Sequence, residues 1–158
     1  MEQELVSTTG QPAPPQQLEM PADLHAAMIS HVRAALPWEG CGLIGCLGNR
    51  AVKLYPGTNI ERSATRFNMD PAEIVAALDD IERHGWQLGA IFHSHPQSAA
   101  RPSPTDLAFA YYPESLMVVI SLADSTPDVR AFRVDGPVRE VPVVVLPAAG
   151  FGEGERGA

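Results

Sequence analysis

The most constraining feature of this sequence is an apolar segment that ends in two histidines, LGAIFHSH at residues 88–95. Its short length and apolar residues are typical of a strand in a buried sheet. Side chains two positions apart in a strand point to the same side, so His93 and His95 can bind one ion at the strand end. The chain must therefore build a sheet that presents this strand end at a site.

The flanking sequence predicts helices and further strands around that segment. Apolar residues recur every three or four positions in the first predicted helix, and the second opens with Asp70, a good helix cap. Helices are predicted at 22–36, 70–84 and 104–112. Further strands are predicted at 39–48, 51–57, 115–123, 129–134 and 138–146. This order predicts an α/β domain with helices packed on a central mixed sheet.

The chain of 158 residues has the length of one domain. Residues 1–20 are rich in Pro and Gln towards their end and are predicted to be a flexible leader. Residues 147–158 lack apolar periodicity and are predicted to be a disordered tail. The predicted domain therefore spans residues 21–146, without a second linker or an internal repeat.

Charge and hydropathy exclude several classes of partner. Lys and Arg number 11 against 19 Asp and Glu, which gives a net charge of −8 and argues against nucleic acid. The acidic balance gives no support for binding an anionic membrane, and no segment approaches the about 18 apolar residues of a membrane helix. The polar, acidic N-terminus does not resemble a signal peptide, so the cytoplasm is the expected compartment.

The cysteines do not form a disulfide framework. Cys41 and Cys46 lie five positions apart in one predicted strand, so their side chains point to opposite faces and are not expected to pair. Both are predicted to be small buried apolar residues rather than reactive thiols.

A carboxylate follows the two histidines at a spacing that suits a metal site. Asp106, in the first turn of the short predicted helix, can return to the point held by His93 and His95. Two imidazoles and one carboxylate suit Zn²⁺ and leave a fourth position for water, as in catalytic zinc sites. The alternative is that two strand histidines are merely solvent-facing or hydrogen-bonded. The combination predicts one zinc ion per chain.

Two further residues are candidates for the chemistry. Glu39 precedes an apolar strand beside Gly40, where it could take a proton from a zinc-activated water and pass it to a leaving amine. Ser103 lies near the start of the short helix, and its hydroxyl could donate to an oxyanion. Alone, Glu39 would be interpreted as a surface glutamate and Ser103 as a turn residue or helix cap.

These residues resemble the signature of the JAMM (MPN+) metalloproteases, a glutamate followed far downstream by His-x-His-Pro-x₆-Ser-x₂-Asp. The matching positions are Glu39, His93, His95, Pro96, Ser103 and Asp106. Residues 39–45 also resemble the opening strand of the short bacterial branch, and Asn59 with residues 67–71 resembles the segment before its second helix. The resemblance covers roughly residues 21–146.

The resemblance implies a zinc-dependent peptidase or isopeptidase with a deaminase-like α/β/α fold. It implies that His93, His95 and Asp106 bind zinc, that Glu39 is the acid/base, and that Ser103 assists the oxyanion. Family members remove ubiquitin or ubiquitin-like proteins from what they are joined to. The short bacterial members are associated with sulfur-carrier proteins that end in Gly-Gly, releasing the carrier or a cysteine built on its C-terminus.

Two rival functions are weighed against this prediction. A module that binds a ubiquitin-like tail without cutting it would be expected to have lost a ligand or the glutamate, and here all are present. Another His-x-His enzyme, such as an amidohydrolase or a cupin, would need histidines after His95, and the sequence has none there. Arg62, Arg66 and Arg101 could hold a substrate carboxylate or could be solvated loop residues. The sequence leaves the oligomeric state open.

Overall fold

The computed structural model describes residues 14–147, which form one eight-stranded sheet and three helices. The strands are β1 (Leu18–Pro21), β2 (Cys41–Leu47), β3 (Arg50–Gly57), β4 (Gln87–His95), β5 (Leu116–Ser121), β6 (Asp128–Arg133), β7 (Arg139–Val141) and β8 (Val143–Leu146). The helices are α1 (Ala22–Ala34), α2 (Pro71–Arg83) and α3 (Pro104–Ala108). Among these described residues, no helix combines the length and apolar character needed to cross a membrane.

The sheet has the strand order β7-β6-β5-β4-β2-β3-β1-β8 and mixes parallel with antiparallel pairs. β4 lies near its centre, antiparallel to β2 and parallel to β5. Because β4 has a hydrogen-bonded neighbour on each side, residues 90–93 pair with both neighbours and the histidines at its end are held by the sheet. The predicted α/β fold with a central mixed sheet is confirmed.

The helices cover opposite faces of the sheet. Along β2, Ile44 packs in the cluster that includes Met28 and Val32 of α1. Its neighbour Leu43 points the other way, into the cluster that includes Ala77 of α2. This alternation follows from the two-residue period of a strand and gives the three layers α/β/α.

One predicted strand is wrong. Residues 138–146 were expected to form a single strand, but Pro142 divides them into β7, which pairs with β6, and β8, which pairs with β1. Proline has no backbone N–H to give to a ladder, and its carbonyl accepts from Leu18 N at 2.9 Å. Since β7 and β8 are consecutive in sequence yet stand at the two ends of the strand order, the sheet must curl strongly around α1.

The prediction of a flexible leader is also wrong for its last residues. Leu18 and Met20 lie in β1 and are fully buried, because β1 fills the space between β3 and β8. The domain therefore begins before residue 21. The rest of the predicted leader, residues 1–13, and the predicted tail from residue 148 onward lie outside the described residues.

The short helix is shorter than predicted. α3 ends at Ala108, and Phe109 leaves the helical region with φ −111° and ψ 26°. Pro113 downstream disfavours helical backbone at the residue before it, so the helix cannot run on through Tyr112. Residues 109–112 instead extend along one side of the site described below.

The two cysteines are buried in opposite layers, as predicted. Cys41 packs on the α2 side and Cys46 on the α1 side, and both are free thiols. Burial raises the pKa of each thiol to about 12, so neither is a reactive thiolate at neutral pH.

Candidate metal centre

Three potential ligand atoms meet where β4 ends. The Nε2 atoms of His93 and His95 lie 3.3 Å apart, and Asp106 Oδ2 lies 3.0 Å from the first and 3.1 Å from the second. All three side chains are buried. The structure thus brings together the residues whose spacing in the sequence predicted a metal site, and they form a group able to hold a metal ion.

The spacing of these atoms fits a tetrahedral ion. Zinc binds imidazole nitrogen at about 2.0–2.1 Å and carboxylate oxygen at a similar distance, which puts neighbouring ligand atoms about 3.3 Å apart. The three observed separations, 3.0, 3.1 and 3.3 Å, are close to that value. The donor set of two imidazoles and one carboxylate also suits zinc and leaves one position open.

The start of α3 positions the carboxylate. Ser103 caps this helix, because its Oγ accepts from Asp106 N at 3.0 Å, while Asp106 Oδ2 accepts from Ser103 N at 2.8 Å. Pro104 follows at the first helical turn, where its fixed φ is favourable. This reciprocal capping box holds Asp106 with one oxygen towards both histidines.

A backbone carbonyl orients His95. Its Nδ1 donates to Ala99 O at 2.8 Å, which leaves Nε2 to face Asp106. The loop that carries Ala99 is tied to β5, since Ser121 Oγ donates to Ser98 O at 2.6 Å. Partners of this kind fix the tautomer and ring orientation of metal-binding histidines. Sequence reasoning did not find them, because a carbonyl carries no signature in the side-chain pattern.

The three groups are electrostatically coupled. Burial alone would raise the pKa of Asp106, but its hydrogen bonds with the two histidines outweigh that effect and hold the pKa well below its usual range. Burial would lower the pKa of His95, yet its bonds to Asp106 and Ala99 O raise it. In His93 burial dominates and the pKa falls. The centre therefore places the ionised carboxylate of Asp106 next to His93, whose imidazole resists protonation. This arrangement favours a bound cation.

Glu39 lies beside this cluster, buried, with an unpaired oxygen. Continuing the register in which Cys41 pairs with His93 places Glu39 opposite His95. Its side chain is 2% exposed, and Oε1 has no hydrogen-bond partner among the described residues. Burial raises its pKa to about 8, with the charge of His95 opposing the rise and that of Asp106 adding to it. A buried carboxyl with a vacant acceptor is typical of a functional site.

This buried carboxyl predicts a pH-dependent stability in the metal-free protein. Glu39→Gln is expected to melt at a higher temperature than the parent at pH 8, with the difference disappearing towards pH 4.5. An ordinary glutamate has a pKa of 4.5 and folded Glu39 about 8, so between these values only the unfolded state loses its proton. The parent therefore loses stability as pH rises, whereas glutamine does not titrate. Calorimetry of chelator-treated protein at both pH values measures the difference.

Glu82→Gln is the matched control, because Glu82 is an exposed glutamate on α2. Its effect on the melting temperature is expected to be small and nearly equal at both pH values. An equal gain at pH 8 and pH 4.5 for Glu39→Gln would contradict the raised pKa.

The backbone next to Glu39 is fixed to β4 by a serine. Ser94, fully buried between the two histidines in sequence, accepts from Gly40 N through Oγ at 2.8 Å. Its own amide donates to Gly40 O at 3.0 Å. The glutamate and the histidines are therefore held in one rigid unit, and Gly40 is needed there because a Cβ would lie 2.9 Å from the backbone of Val32.

A groove of about 340 Å³ opens beside the cluster. It reaches from His93 and Asp106 along the outer face of β4 to Leu88. One wall is the loop before α2 and the other is the segment after α3. The apolar and aromatic lining includes Leu43, Phe67, Met69, Ile74, Ile91, Phe109, Tyr111 and Met117. A groove that starts at the candidate metal site and is mostly apolar is typical of a substrate channel.

Phe67 and Arg66 both line the groove near the cluster. Phe67 stacks on the His93 ring with centroids 4.7 Å apart, which covers one side of the cluster. Nothing in the residue pattern alone indicated this contact. All three candidate arginines are exposed; Arg66 lines the groove, whereas Arg62 and Arg101 lie outside its lining.

Two relatives show the class of protein that this fold and cluster define. The chain is 37% identical over 129 residues to a Mycobacterium tuberculosis protein named CysO-cysteine peptidase, covering 79% of this chain and 88% of the relative. It is 35% identical over 131 residues to a Thermus thermophilus protein named probable TtuB-protein conjugate cleaving protease, covering 82% and 83%. The chain is a hydrolase, as the sequence predicted.

The chain belongs to the family described as prokaryotic homologs of the JAB domain, whose model matches residues 21–135. The predicted resemblance to the JAMM (MPN+) group is thereby confirmed. A Desulfitobacterium hafniense protein solved in solution has the same fold, with a TM-score of 0.74 and 34% identity. That match covers 84% of this chain and 95% of the solved one.

Proposed function

We propose that this chain is a zinc-dependent peptidase or isopeptidase that cleaves the bond after the C-terminal Gly-Gly of a ubiquitin-like or sulfur-carrier protein. The observation that supports it best is the convergence of His93, His95 and Asp106 on one point beside the unpaired Glu39 Oε1. His93, His95 and Asp106 would hold the ion, and the carboxylate of Glu39 would transfer the proton. The apolar groove that opens from the same point offers room for an extended tail.

The side chains supply the proton and the orientation for hydrolysis. Zinc, when bound by the three donors, lowers the pKa of a water to about 7 and polarises the scissile carbonyl. With a cation in the centre, whose charge favours the ionised form of a neighbouring carboxyl, Glu39 would accept the proton of the attacking water at Oε1, the atom that has no other partner among the described residues. It then gives this proton to the leaving amine. Glu39 is kept in reach by the Gly40 contact with Ser94.

Ser103 would assist the oxyanion that forms at the scissile carbonyl. Its Oγ accepts from Asp106 N in the helix cap, which leaves the hydroxyl hydrogen free to donate. Ser103→Ala is expected to lower kcat by about 10²–10³-fold, as losing one oxyanion donor does. It should also destabilise the fold by about 1 kcal/mol through the lost cap. Steady-state kinetics and chemical denaturation measure the two effects.

Ser103→Thr is the control for a general disturbance of the site. Threonine keeps the hydroxyl group, whose oxygen caps the helix and whose hydrogen can donate. It is expected to retain stability and most of the turnover. A Ser103→Ala enzyme with parental kcat and lowered stability would show that Ser103 only caps α3.

The groove geometry favours a tail that lies over the sheet. β4 is paired on both sides, so a substrate cannot add to it as a further strand. An extended tail would instead lie across the face of β4, between the loop before α2 and the segment after α3. The Phe67 ring over His93 narrows the end of the groove. Glycines, which lack Cβ, suit such a narrow approach to the cluster.

The relatives support the class of substrate. One is named CysO-cysteine peptidase and the other probable TtuB-protein conjugate cleaving protease. By analogy, the leaving group of this chain is an amino acid, such as cysteine, or a conjugated protein on the carrier's C-terminus. The rival function, a module that binds the tail without cutting it, is not favoured, because the donor set and the glutamate are complete.

Mass spectrometry of a defined substrate tests the proposal. A ubiquitin-like carrier that ends in Gly-Gly plus one cysteine is incubated with the zinc-loaded protein, with Glu39→Gln as the inactive control. Loss of the cysteine alone, only with the parent, is the expected result. An isopeptide-linked conjugate of the same carrier is tested in parallel. Failure to cleave either substrate, although the tail binds, would favour the non-cleaving module.

A further inference from the structure

The side chain of Asn59 makes four hydrogen bonds to backbone groups, three in its own loop and one at Glu39. Its Oδ1 accepts from Glu61 N and from Asn68 N, each at 3.0 Å. Its Nδ2 donates to Glu39 O at 3.0 Å and to Arg66 O at 3.1 Å. A primary amide has two donor hydrogens and two acceptor lone pairs, so every one of them is used.

These bonds join the groove wall to the backbone of Glu39. The loop between Asn59 and Met69 closes on itself through Asn59 Oδ1 and the Ile60 N to Asn68 O bond of 2.9 Å. Residues 66–69 of this loop line the groove. The same loop takes the amide of Glu39, which donates to Ser63 O at 2.8 Å. Both backbone polar groups of Glu39 therefore depend on this one loop.

We propose that Asn59 is a positioning residue that holds Glu39 in place for proton transfer. This inference rests on the proposed function of Glu39. The peptide after Glu39 is tied to β4 through Gly40 and Ser94, which fixes one side. The other side is fixed by the Nδ2 of Asn59, since the loop by itself offers only the Ser63 carbonyl. Without Nδ2 the Glu39 carbonyl loses its donor and the carboxylate can shift away from the cluster.

The substitution Asn59→Asp isolates this contact. Aspartate has nearly the same shape and keeps an acceptor for Glu61 N and Asn68 N, so the loop retains its closure. Where asparagine has the Nδ2 donor, aspartate has an oxygen, which is repelled by the carbonyl oxygens of Glu39 and Arg66. A misplacement of about 1 Å can cost about 10²-fold in rate. We expect kcat to fall by about 10–100-fold, with zinc content unchanged. Affinity for the tail, measured in the Glu39→Gln background, should change less than twofold.

Thr65→Ala is the matched control in the same loop. Thr65 is exposed and lies outside the groove lining, and within residues 14–147 its side chain bonds to Ser63 alone. It is expected to keep parental kcat. Asn59→Ala is a second variant that adds no charge, in case aspartate disturbs folding, and it should lose at least as much kcat. Parental kcat in both Asn59 variants would overturn the proposal. Equal losses of kcat and tail affinity in Asn59→Asp would also overturn it, since they would show that Asn59 only supports the loop.

Hydrogen exchange tests the same contact without activity. In Asn59→Asp the amide of Gly40, which belongs to the same peptide group as the Glu39 carbonyl and donates to Ser94 Oγ, is expected to exchange at least about tenfold faster than in the parent, while the amides of β4 keep their protection. Unchanged exchange at Gly40 would overturn the proposal even if kcat fell. If the parent cleaves no Gly-Gly substrate, the proposed function fails. The exchange result then still decides whether Asn59 holds the Glu39 backbone.

Discussion

Glu39→Gln is expected to lower kcat by about 10²–10⁴-fold while the protein keeps its fold and its zinc. Glutamine has nearly the same volume and stays neutral, so it can fill the buried space but cannot accept a proton from water. Glu39 is 2% exposed and its Oε1 has no partner among the described residues, so few other contacts change. Single-turnover cleavage of the Gly-Gly substrate and elemental analysis of zinc measure both quantities.

The exposed Glu82→Gln again serves as the control, because Glu82 is the same type of residue on α2 and lies outside the ligand cluster and the groove lining. It is expected to cleave at the parental rate. A Glu39→Gln enzyme that turned over at the parental rate with zinc bound would remove Glu39 from the role of general base. Loss of zinc together with activity would instead indicate that Glu39 holds the metal.

His93→Ala is expected to lose zinc binding and, with it, cleavage. The substitution removes one of three donors and leaves a cavity beneath the Phe67 ring, which stacks on His93 at 4.7 Å. Loss of an outer-shell partner of a metal ligand costs about 10–100-fold in affinity, and loss of a ligand should cost more. Competition with a chromogenic chelator measures the affinity. The melting temperature should also stop rising when zinc is added.

His84→Ala is the matched histidine control. His84 caps the end of α2 on the surface, where its Nδ1 contacts Asp80 O at 2.8 Å, and it has no part in the cluster. It is expected to bind zinc as the parent does. Full zinc occupancy in His93→Ala would exclude His93 from the ligand set and, with it, the geometry proposed for the centre.

Much of the site could be predicted because its residues follow local periodicity. His93 and His95 share a face of one strand, and Ser103 with Asp106 share the first turn of one helix, so spacing alone indicates common directions. Helices α1 and α2 were also predicted near their observed bounds, since each carries one apolar stripe and α2 has the Asp70 cap. Such features depend on neighbours a few residues away.

Features that depend on distant segments were missed or predicted wrongly. β1 resembled the polar leader, because its four residues become a strand only when β3 and β8 flank them. The strand predicted at 138–146 is two strands, because at Pro142 the chain leaves β7 at one end of the strand order and enters β8 at the other. The bonds of Asn59 to Glu39 and Arg66 span separations of 20 and 7 residues. No period in the sequence encodes such contacts.

By itself, the sequence determined the kinds of donor, their order and the likeness to one family, because ligand chemistry and strand or helix periodicity are local properties. Only the tertiary structure decided that Glu39 stands opposite His95 with a raised pKa, since that requires the β2–β4 register and burial beside the cluster. The groove likewise exists only where α3, the loop before α2 and β4 meet. Burial, register and enclosed volume are set by elements far apart in the chain, and their packing supplies what the residue pattern cannot.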